Sequence, residues 1–573
     1  MLILIAILLL LLIPAVMMLV RLLRNRPNYL WLLAFFGALV VLPLVFFSRL
    51  NMPQVVAFLS WQPEEFFPFS PELLVDTTSW AFALTLAAQV FSVMMTSVAR
   101  LSGPNLVAPE IQSGSINPED QSPSPTIFTL KASFDPSNNW RAWAGNLTLT
   151  SFGLVAVLAG NLLTLVLAWA ALDIVELIIL LGQVTTGQQR ERVVVAFSAR
   201  IGGIAVMFMA GIINWQQAGG LDFTSITPQS SLVLMLAAGL RLGILPLHLP
   251  FTHELHMRRG IGTILRQVPV AASLVLLVRT AEIPVPTGVV PYLIGLTAMA
   301  GGFGAIGWLR AADELAGRPY WILTSASLAM AAALYNQPQA CLVWSLAALL
   351  PGTLLFTTSL RRRSLALIVL LSIIGLTGLP LTPTWAGTSI FQPIEETAGV
   401  IAQIFSWMAG ITFFIVHALL LAGYLIHGLR GIMYSDDKQV TQVERWIWPL
   451  YFPGLLILPV IHWLLGWMLR STTGNPWSLP ETSLLNWVEG SFALILAAVI
   501  WYYRPRLVKQ EIEVSMTQAA RQWLPVSLFY RLIWWIYRLF GQFIRLVSVT
   551  LEGEAGILWA LVLIVLILVF LQR

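Results

Sequence analysis

The sequence predicts an all-α polytopic membrane protein with about 14–16 transmembrane helices. Of its 573 residues, 58% are hydrophobic and only 10% are charged, whereas an ordinary soluble domain carries roughly 25% charged residues. Runs of about 20 apolar residues, the length that crosses a bilayer, recur along almost the whole chain. Because these runs are continuously apolar rather than alternating, they indicate helices.

Sixteen apolar windows are candidate spans. The first, residues 1–22, begins the chain without a preceding positive segment or a following cleavage site, so it is interpreted as a permanent span and not as a signal peptide. The sixteen windows are 1–22, 29–48, 78–98, 142–159, 161–182, 194–213, 230–248, 260–279, 288–309, 319–335, 340–359, 364–381, 400–429, 447–469, 484–503 and 555–571.

The distribution of Lys and Arg predicts that the N-terminus lies outside. With that orientation, twenty-six of the 32 basic residues, Arg200 among them, fall in cytoplasmic loops and flanks. Four, Arg49, Arg279, Arg470 and Arg573, fall outside, and Arg241 and Arg266 remain within the membrane. This asymmetry follows the positive-inside rule. We therefore expect a multi-pass protein of a bacterial-type inner or energy-converting membrane.

Two segments interrupt the series of spans. Residues 101–140 are rich in Ser, Pro, Asn and Gly and form a polar cytoplasmic insert, either a disordered loop or a docking element. After Pro525, the basic residues Arg531, Arg538 and Arg545 recur seven apart among aromatic residues. On a helix this spacing gives one basic stripe, which predicts a short lateral amphipathic helix at the cytoplasmic membrane surface.

Five segments, in order along residues 70–435, resemble motifs of the antiporter-like family. That family comprises proton-translocating membrane subunits of respiratory complex I, Mrp-type antiporters and membrane-bound hydrogenases. The segments are LLVDTTSWAFALTL (73–86), NLLTLVLAWAALD (161–173), RLGILPLH (241–248), GLTGLPLTPTWAG (375–387) and AGYLIHGLRGIMY (422–434). The resemblance implies broken seventh and twelfth helices, at Pro246 and at Gly378, Pro380 and Pro383 respectively.

The chain departs from the family at the residues that the family uses to relay protons. The positions that resemble the family's fifth-helix Glu, seventh-helix Lys and eighth-helix His are Ala170, Arg241 and Gln267, and the twelfth-helix Lys or Glu falls on Gly387 or Thr388. The three lysines of the chain, Lys131, Lys438 and Lys509, lie outside every predicted span. An ammonium can release its proton when desolvated, whereas a guanidinium effectively cannot. The chain is thus a divergent relative without intramembrane lysines.

Asp173, Glu176, Arg241, Arg266 and His248 are the candidate ion-pair or proton-path residues. Asp173 and Glu176 share one face of the fifth helix, at a depth similar to that of Arg241. We predict that Arg241 pairs with one of these carboxylates, because ionisable groups within a membrane avoid lipid together. The pair is either a displaced form of the family's Glu–Lys switch or a structural ion pair that holds two helices together.

The histidines near the seventh helix offer an access path for protons or are solvated loop residues. His248, His253 and His256 lie together with Glu254, but the spacing is not that of a His-Glu-x-x-His zinc site, so no metal is expected. His417, His427 and His462 stand alone on apolar helices and are interpreted as hydrogen-bonded core residues. No nucleotide loop, cysteine cluster or haem signature occurs, so no cofactor is expected.

The predicted organisation has five parts: N-terminal helices (1–98), the insert (99–140), the antiporter-like core (141–435), C-terminal helices (436–507), and the lateral helix with a last span (508–573). The leading hypothesis is a membrane-arm subunit of a complex I-like or Mrp-like assembly that couples ion movement to a partner reaction, for example in a NADH- or ferredoxin-quinone oxidoreductase. A non-conducting scaffold and a free-standing monovalent cation/proton antiporter are the alternatives. The expected partners are other membrane subunits and the bilayer, not nucleic acid.

Overall fold

The computed structural model describes residues 1–23, 30–57, 69–97, 140–182, 187–249, 259–286, 288–360, 362–392, 400–430, 442–470 and 484–508. Within these ranges the chain forms fifteen α-helices and one two-stranded hairpin, which confirms the all-α membrane fold. Residues Met1–Tyr502 make up one compact unit. The second unit, Tyr503–Arg573, contributes only the last residues of α15 to the described ranges.

The helices are numbered in chain order. They are α1 (Leu2–Leu23), α2 (Leu30–Phe47), α3 (Thr77–Thr96), α4 (Trp140–Val157), α5 (Leu162–Leu181), α6 (Gly187–Ala218), α7 (Pro228–Leu242) and α8 (Arg259–Thr280), and then α9 (Val290–Arg310), α10 (Arg318–Leu334), α11 (Pro338–Thr357), α12 (Ala366–Gly375), α13 (Val400–Leu429), α14 (Gln442–Arg470) and α15 (Leu484–Val508). Between α2 and α3, strand β1 (Gln54–Ala57) pairs antiparallel with β2 (Glu72–Val75).

Polar side chains define where the helices that carry the site begin. Asn161 precedes α5, and its side chain accepts a hydrogen bond from the Thr164 amide. Thr227 does the same for the Ser230 amide at the start of α7, where Pro228 occupies the first helical turn. Such N-caps satisfy amides that have no partner within the helix. The caps therefore fix where α5 and α7 begin, and with this the positions of Asp173 and Arg241 along the two helices.

Ten of the described helices are long and apolar enough to cross a membrane. Nearly all residues of the apolar windows in α3 and α8, and all of those in α11, are buried inside the unit, whereas fewer than a third of those in α1 and α6 are buried. The other five described helices, α4, α7, α10, α12 and α15, are shorter or more polar. The predicted span 555–571 lies outside the described residues.

The two helices expected to be broken end earlier than their apolar windows. The seventh window extends to residue 248, but α7 ends at Leu242, because Gly243 adopts a left-handed conformation (φ 78°) and turns the chain. Pro246 follows in this turn, after a cis peptide bond with Leu245. The twelfth window extends to 381, but α12 ends at Gly375. Hydropathy counts apolar residues and cannot sense where backbone geometry stops a helix.

Several predicted features lie outside the described residues. These are the insert 99–140 apart from Trp140, the loop residues His253, Glu254 and His256, and the lateral helix with Arg531, Arg538 and Arg545.

Candidate functional site: a buried charge network on α5, α6 and α7

Arg241 of α7 binds Asp173 of α5 through both ends of its guanidinium. Nη1 donates to Oδ2 at 2.6 Å and Nη2 donates to Oδ1 at 2.7 Å. The guanidinium carbon also lies 4.2 Å from the ring centroid of Trp169, one helical turn before Asp173. Asp173 is 1% exposed and Arg241 is 6% exposed. The pairing expected between Arg241 and a carboxylate of the fifth helix is thus present, with bidentate geometry.

Arg200 of α6 extends this pair into a network. Its Nη1 forms a salt bridge with Glu176 and lies 3.8 Å from Asp173 Oδ1. Its backbone carbonyl accepts a further hydrogen bond from Arg241 Nη1. The charges therefore alternate in the order Arg241, Asp173, Arg200 and Glu176, so that each carboxylate faces a guanidinium. Two positive and two negative charges compensate one another, which reduces the cost of burying them.

Arg266 of α8 adds a third positive charge to this region. It is buried and contributes to the electrostatic field at Arg200. Since guanidinium groups stay protonated at any physiological pH, the three arginines are fixed positive charges. The only members of the network that can change charge are Asp173 and Glu176. The fixed charges therefore maintain an electric field between α5 and α7. Within this network, only a carboxylate can accept a proton.

The other candidates near α7 lie beyond the end of the helix. His248 follows the Gly243 turn, and its Nδ1 is 2.9 Å from the carbonyl oxygen of Pro246. Its amide donates to the Gly243 carbonyl, so the residue is part of the turn that ends α7. The described contacts therefore give His248 a place in the turn, and a role in proton access stays a prediction.

The positions that resemble the family's relay residues in α8 and after α12 hold neutral groups. Gln267 is buried, and neither atom of its amide group has a hydrogen-bond partner among the described residues. The carbonyl of Gly387 accepts a hydrogen bond from the Trp344 indole at 2.9 Å, and the Thr388 hydroxyl donates to the Trp385 carbonyl. None of the three lysines of the chain falls within the described ranges. The ionisable groups of the first half thus have no counterpart at these positions.

The Thr384 hydroxyl bridges two backbone groups of the interruption after α12. Thr384 Oγ1 donates to the Gly375 carbonyl at 2.9 Å and accepts from the Gly378 amide at 3.0 Å. Gly378 has φ 72°, which a residue with a side chain rarely adopts. Pro380 and Pro383 lie in the same interruption, so the predicted glycine and prolines do coincide with the end of α12.

A second ion pair joins the loop between α9 and α10 to the start of α8. Arg259 Nη2 donates to Glu314 Oε1 at 2.6 Å, and Arg259 Nη1 donates to the Thr358 carbonyl at 2.7 Å. Burial alone would raise the pKa of Glu314. The charge and hydrogen bond of Arg259, together with a backbone hydrogen bond, outweigh burial and lower that pKa below its usual value.

The burial of Arg200 and the contact of Trp169 with Arg241 are not predicted from the sequence. The distribution of basic residues places Arg200 among the cytoplasmic flanks, although it falls within the window 194–213. Arg200 lies near the middle of α6, which runs from Gly187 to Ala218, and the packing of α6 beside α5 places it against Glu176. Its position inside an apolar window was the signal available. Trp169 was noted as part of a motif, but its stacking under Arg241 depends on how α5 and α7 pack.

The sequence matches no known protein-family profile and no curated protein. Solved structures, by contrast, share its fold. A chain of the membrane-bound sulfane sulfur reductase, an archaeal respiratory membrane complex, is similar over 98% of this chain and 99% of its own length, with a TM-score of 0.62 and 16% identity.

Two further solved structures have a similar fold. A chain of the Mrp complex from Dietzia sp. matches all of this chain and 62% of its own length, with a TM-score of 0.65 and 15% identity. A chain of respiratory complex I from Thermus thermophilus matches 83% of this chain and 100% of its own length, with a TM-score of 0.55 and 17% identity. The fold is thus that of membrane chains from these three complexes, in agreement with the antiporter-like family that the sequence motifs resemble.

Proposed function

We propose that this protein is an antiporter-like membrane-arm subunit of a complex I-like or Mrp-like assembly, in which it couples ion movement to a reaction of partner subunits. The observation that carries the proposal is the buried alternating network of Arg241, Asp173, Arg200 and Glu176. It occurs within a fold shared with chains of multi-subunit membrane complexes. Ionisable groups inside a membrane domain mark ion pathways or charge-sensing sites far more often than they mark ordinary packing.

A change of charge at one member of the network alters the electrostatic interactions of its neighbours. If Glu176 accepted a proton, Arg200 would lose one of its two carboxylate partners and would interact more strongly with Asp173. The interactions of Asp173 with Arg200 and with Arg241 would then both change in strength. A charge change at one end of the network is therefore felt at α7 without any lysine. Proton movement by this route differs from the lysine relay that the family resemblance implies.

The bidentate contact between Arg241 and Asp173 favours a second candidate function, a non-conducting scaffold. Two hydrogen bonds and a stacked indole hold the guanidinium in one geometry. A permanently charged, rigidly held group is well suited to joining helices and poorly suited to cycling. In this case the subunit would occupy a place in the assembly and leave ion movement to its neighbours.

Purification of the tagged chain from its native membrane, followed by reconstitution in liposomes, separates these functions. We expect other membrane subunits to copurify with it. Proton flux should be lost in Glu176→Gln while assembly persists, and Arg190→Gln, an exposed position on α6, serves as the control. Absence of flux from the assembled wild type would support the scaffold. A chain that purifies alone and exchanges cations for protons would instead be a free-standing antiporter.

The orientation is part of the same proposal. We propose an N-terminus on the outer side of a bacterial-type inner or energy-converting membrane, as the distribution of arginines indicates. A protease site inserted before Leu2 should then be cut only from the outer side of intact cells or vesicles.

A further inference from the structure

The interruption after α12, residues 375–384, carries no ionisable side chain of its own, yet titratable residues of three other helices lie beside it. They are His417 of α13, His462 of α14 and Glu489 of α15. The helices α14 and α15 lie outside the segment whose motifs resemble the antiporter-like family.

His417 contacts the backbone where α12 ends. Its Nε2 is 2.8 Å from the carbonyl oxygen of Leu376, the residue that follows α12. The ring stacks on Phe391 and meets Trp344 edge-on, with centroids 5.7 and 5.0 Å away. His417 is 1% exposed, and its Nδ1 has no hydrogen-bond partner in the part of the chain that the structure describes. One nitrogen therefore holds the ring in place and the other is available.

His462 approaches the preceding residue of the same interruption. A Cβ atom placed on Gly375 would lie 3.2 Å from His462 Nδ1, so the ring rests against the glycine. His462 is also 1% exposed, and neither of its ring nitrogens has a hydrogen-bond partner within the described residues. Two buried histidines from different helices thus meet consecutive residues of α12 and its C-terminal end.

Glu489 lies on α15, which also contacts the interruption. The next residue, Gly490, packs on the backbone of Leu379, since a Cβ atom on Gly490 would lie 3.0 Å from the Leu379 nitrogen. Glu489 itself is half-buried, and its Oε2 is a buried atom without a hydrogen-bond partner among the described residues. Glu489 is therefore one residue away from a contact with the interruption, and it is a titratable side chain of α15.

Four buried polar atoms without a partner among the described residues belong to three side chains at or next to this interruption, and they indicate a ligand that can donate and accept hydrogen bonds. Buried polar groups are almost always paired, with protein or with ordered water. Within the described ranges no group of three or more His, Cys, Asp or Glu side chains is close enough to hold a metal ion. Water is the ligand that remains, because a water molecule can bridge groups that do not touch one another.

We propose that the interruption after α12 binds a cluster of water molecules through which His417, His462 and Glu489 exchange protons. A histidine can take a proton from water at one ring nitrogen and release it from the other. The site would give the second half of the core the titratable groups that Gly387 and Thr388 do not provide. This inference extends the proposed function, since it supplies a second place where a proton can be held.

The test is water-edited solid-state NMR of the full chain in lipid vesicles, with ¹⁵N-labelled histidine. The chain has only 6 histidines, so substitutions to Gln assign each signal. Magnetisation from water should reach the ring nitrogens of His417 and His462 several-fold faster than those of His427. His427 is the matched control, because it is equally buried on α13 but bonds the Trp308 carbonyl away from the interruption. If one variant does not fold, the other assignments identify its signal by elimination.

Transfer to both His417 and His462 as slow as transfer to His427 would overturn the inference, whatever the flux measurements show. Fast transfer supports the site even if wild-type vesicles carry no proton flux. That combination would contradict the proposed ion movement but not the site. Where wild-type flux exists, His462→Gln should reduce it severalfold and His427→Gln should not. Equal flux in the wild type and in His462→Gln would show that the site takes no part in proton exchange.

Discussion

Arg241 and Asp173 face each other across α7 and α5 through two parallel hydrogen bonds of 2.6 and 2.7 Å, with the Trp169 ring beneath the guanidinium. The sequence separates the two residues by 68 positions, and both are almost completely buried. A bidentate pair of this kind fixes position and orientation together, unlike a single ammonium contact. The relationship makes the α5–α7 contact sensitive to the loss of either partner.

Replacing Arg241 with Gln should destabilise the protein because it removes both hydrogen bonds to the buried Asp173 carboxylate and leaves it beside the Arg200 guanidinium, 3.8 Å away. Loss of one partner of a buried pair typically costs about 3–5 kcal/mol. The free energy of unfolding can be measured in mixed micelles as the fraction of denaturing detergent rises. The double variant Asp173→Asn with Arg241→Gln should recover most of the loss, since both charges are then removed. A single variant as stable as the wild type would contradict a dry, paired site.

Arg200→Gln should destabilise far more than Arg190→Gln, although both substitutions are on α6. Arg200 is buried against Glu176 and Asp173, whereas Arg190 is exposed. We expect a loss of about 3–5 kcal/mol for the buried position and a change within about 0.5 kcal/mol for the exposed one. Parallel unfolding titrations of the two variants measure the difference. Equal stabilities would mean that Arg200 is only a topology signal, as the sequence suggests.

Thr384→Val should destabilise the end of α12, while Thr384→Ser should not. The hydroxyl joins the Gly375 carbonyl to the Gly378 amide, and both are buried polar groups. Valine has nearly the same shape but cannot bond either group, so about 1–3 kcal/mol should be lost. Hydrogen exchange at the Gly378 amide should also accelerate in the valine variant. Unchanged exchange there would show that another group holds the turn.

Glu314→Gln should make stability less dependent on acid. The folded-state pKa of Glu314 lies below its usual value, mainly because Arg259 outweighs burial. The pair therefore contributes fully above the unfolded pKa of about 4.3 and loses its contribution as the pH falls through the lower folded value. At neutral pH the variant should be less stable by about 1.5–3 kcal/mol, because Arg259 loses a charged partner.

The difference between wild type and Glu314→Gln should shrink below a pH of about 4. Thermal unfolding of both proteins across that range measures it. The same deficit at every pH would mean that the substitution acts through packing and not through the charge of Glu314.

Sequence alone was enough for the membrane fold. Fifteen apolar windows coincide with the fifteen described helices, because the bilayer imposes a simple requirement on length and hydropathy. The likeness of five short motifs to the antiporter-like family agrees with the fold found in solved complexes. The candidates Asp173, Glu176 and Arg241 could be named because a charge within an apolar run is conspicuous.

The sequence predicts a pair between Arg241 and a carboxylate of the fifth helix, but only the tertiary structure decided which carboxylate it is and that Arg200 joins the pair. The position of Arg200 within an apolar window hints at burial but does not name a partner. Its burial against Glu176 follows from the packing of α6 on α5. His417 and His462 are isolated in the sequence, and they lie at one interruption only because α13 and α14 both pack beside α12. Hydropathy is a property of single segments, whereas pairing and polar partners depend on neighbours that are distant in the chain.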